Sequence, residues 1–322
     1  MTKSHSGAGG RPAPRRWRDL PGVSLLSIAS LAGATVSTAA TAADTPAGSL
    51  MLKAGAAYDD NVSNSQIDTA TGRGDSIKTL GLNAKYRLYD DKKNHVSIGY
   101  EFNQSLHTRL HGFDIQSHVV SFDASRKFGS STLVIDYSRD YIIFGGSPFL
   151  SIEIVNPSIF TPIRSNIFVR GSYLILNESF SKDRRRNAVH QQPELQAFYF
   201  FDHSKAYVLL SGNYQREMTS GPEFSYGGYG LSANLALPVN LLKQKGKIKF
   251  GYDFIRRDYN NITPSIKSIR EDQWSVVKAR LEFPVSSKIL FSIDYKYSDR
   301  YSNLPSAASK EGLLTTEFSY KF

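Results

Sequence analysis

Charged side chains repeated at every second residue are the most promising chemistry in this chain. Lys278, Arg280 and Glu282 follow one another at that spacing, as do Asp294 with Lys296 and Lys85 with Arg87, while Arg170 stands among apolar neighbours. In an extended strand successive side chains point to opposite sides, so a spacing of two places each set on one face. Ammonium, guanidinium and carboxylate groups along a hydrated path can hold and steer charged or sugar-like cargo. Paired across strands, the same groups only brace a polar wall. Covalent chemistry has much less to stand on. There is no cysteine, and no Gly-x-Ser-x-Gly turn raises a serine nucleophile. The seven histidines are scattered, and His107, His111 and His190 fall in expected loops. The acidic run Asp59-Asp60-Asn61 could attract a cation, but it also suits a solvated strand end. No catalytic residue, metal ligand or cofactor is therefore assigned, and the chain is not expected to be an enzyme.

The elements that must carry these residues are strands. Ile289, Phe291, Ile293, Tyr295 and Tyr297 alternate with Ser292, Asp294, Lys296, Ser298 and Arg300. Similar alternation runs through Leu80 to Leu88, Val96 to Phe102, Leu133 to Tyr137 and Val277 to Phe283. Period-two patterning over most of residues 49–322, with almost no helical period, predicts an antiparallel up-and-down barrel. Fourteen strands are expected, at 49–59, 76–89, 95–106, 114–127, 131–143, 149–162, 166–180, 192–202, 205–217, 225–239, 247–258, 273–285, 288–300 and 312–322. Short turns at 90–94, 129–130, 163–165, 203–204, 241–246 and 286–287 alternate with longer polar loops at 60–75, 107–113, 181–191, 218–224, 259–272 and 301–311. Pro157 makes the sixth strand the least regular, because proline cannot donate to a ladder.

Residues 1–43 read as a secretory signal peptide. Arg11, Arg15, Arg16 and Arg18 precede an apolar run from Val23, and small residues lead to Thr41-Ala42-Ala43. The barrel then occupies 44–322. Of the chain's 39 basic and 29 acidic residues, the leader holds five and one, leaving a net of +6. That excess is spread over many strands and does not form the one-sided patch of a nucleic-acid binder. No later apolar run reaches the roughly 18 residues of a spanning helix. Tyrosine and phenylalanine nevertheless number 18 and 19, as a barrel with lipid-facing aromatics requires. The last strand ends Phe318, Tyr320, Phe322 with polar residues between them, an arrangement that resembles the terminal signal read by the barrel-assembly machinery.

On this pattern the lumen is lined by Lys85, Arg87, Glu101, Asp136, Arg170, Lys249, Asp253, Lys278, Arg280, Glu282, Asp294, Lys296, Glu317 and Lys321. Fourteen strands lie between the filled eight-stranded barrels and the aqueous channels of 16–18, so a lumen is expected. Phe198 to Phe201 make both faces of one strand aromatic, and Phe168, Leu174, Leu176 and Leu209 on neighbouring strands are expected to point inward as well. Such a patch is either an apolar stretch of the path, a region packed shut, or a shifted register.

Gly55-Ala56-Ala57-Tyr58-Asp59-Asp60-Asn61-Val62-Ser63, Tyr137-Ser138-Arg139-Asp140-Tyr141, Pro148-Phe149-Leu150 and Asn156-Pro157-Ser158 together resemble the C-terminal barrel of the surface lipoprotein assembly modifier family. The resemblance implies a fourteen-stranded barrel that helps move surface lipoproteins. In that family a tetratricopeptide-repeat domain precedes the barrel, and no 34-residue helical repeat occurs here. The expectation is therefore an outer-membrane translocation or export pore for a surface molecule, lipoprotein or polysaccharide. A passive diffusion porin and a non-conducting structural or adhesive barrel are the alternatives. None of the expected loops is long enough to act as an inserted constriction. Outer-membrane lipid, the barrel-assembly machinery and a separate periplasmic partner are the expected associations, with a monomer in the membrane and no nucleic acid.

Overall fold

A computed structural model describes residues 47–241 and 244–322; the expected leader and two residues of the 241–246 turn lie outside them. The described chain forms one closed ring of fourteen antiparallel strands in sequential order. They are β1 (Gly48–Asp59), β2 (Asp75–Asp90), β3 (Asn94–His107), β4 (Ile115–Phe128), β5 (Ser131–Phe144), β6 (Ser147–Arg164) and β7 (Ile167–Phe180). The second half comprises β8 (Ala188–Phe201), β9 (Ala206–Thr219), β10 (Tyr226–Leu241), β11 (Gln244–Thr263), β12 (Ser268–Pro284), β13 (Ile289–Ser302) and β14 (Ser309–Lys321). β1 pairs with β14 from Met51↔Lys321 to Asp59↔Leu313, which closes the ring. Closure leaves no sheet edge, so the ladder satisfies the backbone on both sides of every strand, as hydrocarbon surroundings demand.

Alternation sorts the faces. Leu80, Ile98, Val120, Ile135, Leu195, Leu210, Leu231, Val277 and Leu314 are exposed on the outside. Tyr86, Tyr89, Phe128, Tyr199, Phe318, Tyr320 and Phe322 are exposed near the short-turn end, and Tyr58, Tyr141, Tyr214, Tyr229 and Tyr301 near the loop end. Two aromatic girdles around an apolar band are the outer surface of a membrane barrel. Polar side chains occupy most of the other face, apart from an apolar stretch on β7 to β9.

Both mid-strand prolines are accommodated on one side only. Pro157 pairs with Ile135 on β5. The ladder from β6 to β7 skips it, resuming from Val155 at Ser158. Pro193 pairs with Tyr173 on β7, and the β8–β9 ladder jumps from Gln191 to Glu194. Each missing N–H therefore interrupts a single ladder.

Three expectations need correction. The segment 259–272 is mostly strand, with β11 continuing to Thr263 and β12 starting at Ser268 around a bulge between Asp258 and Ile262. Its polar composition resembles a loop because strands beyond the apolar band have water on their outer side. His107 and His190 lie in β3 and β8, not in loops. The loop ends are also less uniform than expected. β5 and β6 are joined by Gly145-Gly146 alone, at φ 55° and 75°, the left-handed pair that a two-residue hairpin turn needs.

Candidate functional site

The fifteen-residue connection between β1 and β2 carries a small hairpin, Ser63–Asn64 paired with Thr69–Ala70, around a 3-10 turn at Ser65–Ile67. Polar side chains tie its base down. The Asp60 carboxylate accepts from the Gly312 N–H at 2.7 Å. The Asn61 side chain accepts from the Gly72 N–H at 2.8 Å and donates to the Lys310 carbonyl at 2.8 Å. The Ser63 hydroxyl bonds Glu311. Asp59 and Asn61 also bond each other locally. The acidic run that might have suggested a cation site is thus engaged in anchoring the loop.

From this base the loop reaches across the barrel end. Asp68 sits at its tip and is buried. Arg270 on β12 grips its carboxylate with both terminal nitrogens, at 3.0 and 2.7 Å. Arg300 on β13 adds a bond of 3.1 Å, and Arg186, from the β7–β8 connection on the far side of the ring, another of 3.1 Å. Arg186 also donates to the Gln66 carbonyl at 2.8 Å, and the Gln66 side chain reaches Glu178 on β7. A loop rooted between β1 and β2 is therefore fastened to strands on both sides of the mouth, which corrects the expectation that no loop is long enough to constrict it. Burial alone would raise the Asp68 pKa. The hydrogen bonds from Arg270 and the charges of Arg270, Arg300 and Arg186 outweigh it and hold the carboxyl at about 2.

The guanidiniums have their own supports. Arg270 lies between two carboxylates, because its Nε and one Nη also donate to Asp272 at 2.9 and 2.7 Å. Asp272 further accepts from Arg300 at 2.8 Å and Ser302 at 2.6 Å. Arg270 stacks over Tyr259 at 4.5 Å and Arg300 over Trp274 at 4.3 Å. Arg257 is sandwiched between Tyr226 at 4.3 Å and Trp274 at 4.4 Å. Planar guanidinium on an aromatic face is favourable, and more so out of water. Across the mouth the lining is apolar. Phe113, Phe144, Phe149 and Phe180 contact one another in sequence at 5.5, 5.2 and 5.6 Å.

The residues singled out from the sequence lie below this plane and are spread around the ring. Lys278, Arg280 and Glu282 on β12 join Asp294 and Lys296 on β13. Arg280 pairs with Glu282 at 3.3 Å and Asp294 at 3.1 Å, and Lys296 with Glu311 at 3.2 Å. Lys278 pairs with Asp253, and Lys249 with Glu282 at 2.6 Å. Lys85 and Arg87 stand apart on β2, paired with Asp123 at 2.6 Å and Asp90 at 3.2 Å. Arg170 is isolated on β7, 3.7 Å from Asp136 and stacked on Phe160. Glu101 bonds Asn83 and Asn103, and Glu317 bonds Ser319. Lys321 pairs in register with Met51. Phe318, Tyr320 and Phe322 face outward, with Tyr320 and Phe322 in edge contact at 4.8 Å. Phe168, Leu174, Leu176, Phe198 and Leu209 are buried on the inner face. Phe200 packs on Phe168 and Tyr207 at 5.5 and 5.7 Å, so this wall is packed in a regular register.

Asp68, Arg186, Arg257, Arg270, Trp274 and Arg300 were not singled out. Arg270, Asp272 and Trp274 continue the period-two series of Lys278, Arg280 and Glu282, and extending that series would have found them. Nothing local marks Asp68 or Arg186.

The fold is similar to that of solved outer-membrane barrels. A loop L8 deletion mutant of OmpT, an outer membrane protein of Vibrio cholerae, matches 86% of this chain and 100% of its own at 10% identity and a TM-score of 0.50. OprD of Pseudomonas aeruginosa matches over 85% and 95% of the two chains at 10% identity and a TM-score of 0.43. A bacterial polysaccharide outer membrane secretin matches over 85% and 98% at 8% identity and a TM-score of 0.48. These likenesses are of fold. No family model matches the sequence, and no curated protein matches it.

Proposed function

We propose that this chain is a gated passage in the bacterial outer membrane, an export or translocation pore for a surface molecule. One observation carries the reading: the loop at 60–74 is fastened across the mouth by Asp68, which three arginines from separate elements hold. A structural wall has no need of a polar latch at its mouth. A latch made of ion pairs, by contrast, can be exchanged for pairs with cargo. Beneath it the lumen is charged, and Lys85 and Lys278 keep 49% and 38% of their side-chain surface exposed, so the interior holds water-accessible charge. The short resemblance to the surface lipoprotein assembly modifier barrels points the same way, toward lipoprotein or polysaccharide cargo. The chain is read as exported by its leader and inserted by the barrel-assembly machinery through Phe318, Tyr320 and Phe322. It acts as a monomer in lipid, without a catalytic step, and a separate periplasmic partner delivers cargo.

A passive diffusion porin is the second reading, because the same loop could be a permanent constriction. Single-channel recording in planar bilayers separates the two. For a gate, the parent protein is silent or flickers briefly, and Asp68→Asn shows sustained openings at least tenfold more often. Arg280→Ala with Lys296→Ala then changes the current through the opened pore. Steady current from the parent, unchanged by Asp68→Asn, would establish the porin. Silence in all variants would leave a structural barrel.

A further inference from the structure

Resting on that gate reading, the mouth shows what class of molecule would open it. Asp68 is a ligand in all but name. Its carboxylate takes two bonds from one guanidinium edge and one each from two more. End-on pairing by both terminal nitrogens of Arg270 is the arrangement by which arginine selects planar carboxylates. Tyr259 and Trp274 hold Arg270 and Arg300 from behind, and Asp272 holds their other edges, independently of the loop. If the loop leaves, the arginines stay in place and the site retains an uncompensated positive charge. Arg270 and Arg300 are almost fully buried, and the Arg300 Nε–H has no hydrogen-bond partner among the described residues. The site therefore has more donors than Asp68 uses.

The inner faces of β8 and β9 carry amides on adjacent strands, Gln192, Gln196, Asn213 and Gln215, with the Glu194 carboxylate among them accepting from Gln196 at 3.2 Å. The buried Gln196 Oε1 also lacks a partner among the described residues. Amides that both donate and accept suit hydroxyl groups, whereas the arginines suit a carboxylate. We infer that the cluster of Arg186, Arg270 and Arg300 is a binding site for the carboxylate of an acidic sugar chain, and that Asp68 occupies it at rest. A uronate displaces Asp68 by exchanging one set of charge-assisted bonds for another, so the latch opens only when cargo of this class is present.

The test uses the mature protein; Trp17 lies in the expected leader, so after export Trp274 is the only tryptophan. Folding is checked by heat-modifiable migration in gels. Trp274 fluorescence and calorimetry follow titration with trigalacturonate, neutral maltotriose and inorganic phosphate. Asp68→Asn is expected to bind trigalacturonate at least tenfold tighter than the parent, because the internal competitor is removed. Arg270→Gln added to Asp68→Asn is expected to lose that gain, and Asp68→Glu to bind as weakly as the parent. Equal affinity of Asp68→Asn and the parent overturns the inference. So does maltotriose binding as tightly, and so does phosphate binding as tightly, which would make the site a general oxyanion trap. Failure of the gate reading shows differently. Uronate binding by Asp68→Asn with no added conductance removes the gate and keeps the site. Added conductance without uronate binding keeps the gate and removes the site.

Discussion

Asp68 adopts φ 52° and ψ 45°, in the left-handed region. A non-glycine residue there costs on the order of 1 kcal/mol, and aspartate tolerates it better than most. The strained backbone turns the side chain toward Arg186, Arg270 and Arg300. The charged and titratable groups facing it are those three arginines, with Asp272 and Tyr259 behind them. Its pKa of about 2 lies below the ordinary value of 3.8, so the latch is strengthened at pH above about 4 and weakens as pH falls through 2. The shift corresponds to roughly 2 kcal/mol. The part of the open probability that Asp68 controls is accordingly expected to be flat from pH 7 to 4 and to rise below it. In Asp68→Asn that dependence should disappear, and a rise persisting in the variant would assign it to other groups. Arg270→Ala has a larger expected effect. It leaves two buried carboxylates without their main partner, a loss of about 3–5 kcal/mol that urea unfolding in detergent would register.

At the scale of elements, the seam between β1 and β14 is the place where ring closure can fail. A Cβ at Gly55 would lie 2.3 Å from the Thr316 carbonyl oxygen and 2.8 Å from Thr79 Oγ1. The backbone oxygen cannot move without breaking the ladder. Gly55→Val is expected to destabilise the closed barrel by about 2 kcal/mol or more, seen as a lower temperature for loss of heat-modifiable migration. Phe322 donates its N–H to the Leu50 carbonyl at 3.1 Å and exposes its ring outside the same seam. Truncating it should slow insertion by the assembly machinery while leaving the conductance of inserted barrels unchanged. Slow insertion with altered conductance would instead mean that the terminus shapes the pore.

For the whole molecule, the loop and the ring are separable. The loop contributes no strand to the closed sheet, so removing residues 62–72 should leave a heat-modifiable barrel. Its mouth should then pass current steadily, whatever the cargo. A deletion that fails to fold would show that the arginine cluster needs its carboxylate for assembly.

Strand number, order and facing were legible along the chain because a membrane barrel imposes one simple rule at every position. Outside must be apolar, inside polar, and the period is two. Leu80 to Leu88 and Ile289 to Arg300 obey that rule without knowledge of any neighbour. The rule lapses where β11 and β12 rise beyond the apolar band, and there Tyr259 to Asp272 resembled a loop. The latch lay further out of reach. Asp68 meets Arg270 and Arg300 across 202 and 232 residues. Its value depends on burial and on the convergence of three guanidiniums, which no single segment encodes. Composition and periodicity thus determined a polar-lined ring. Only the tertiary structure decided that its mouth is crossed by a loop and that a carboxylate holds it there, because electrostatic pairing in a buried site depends on distance in space rather than position along the chain.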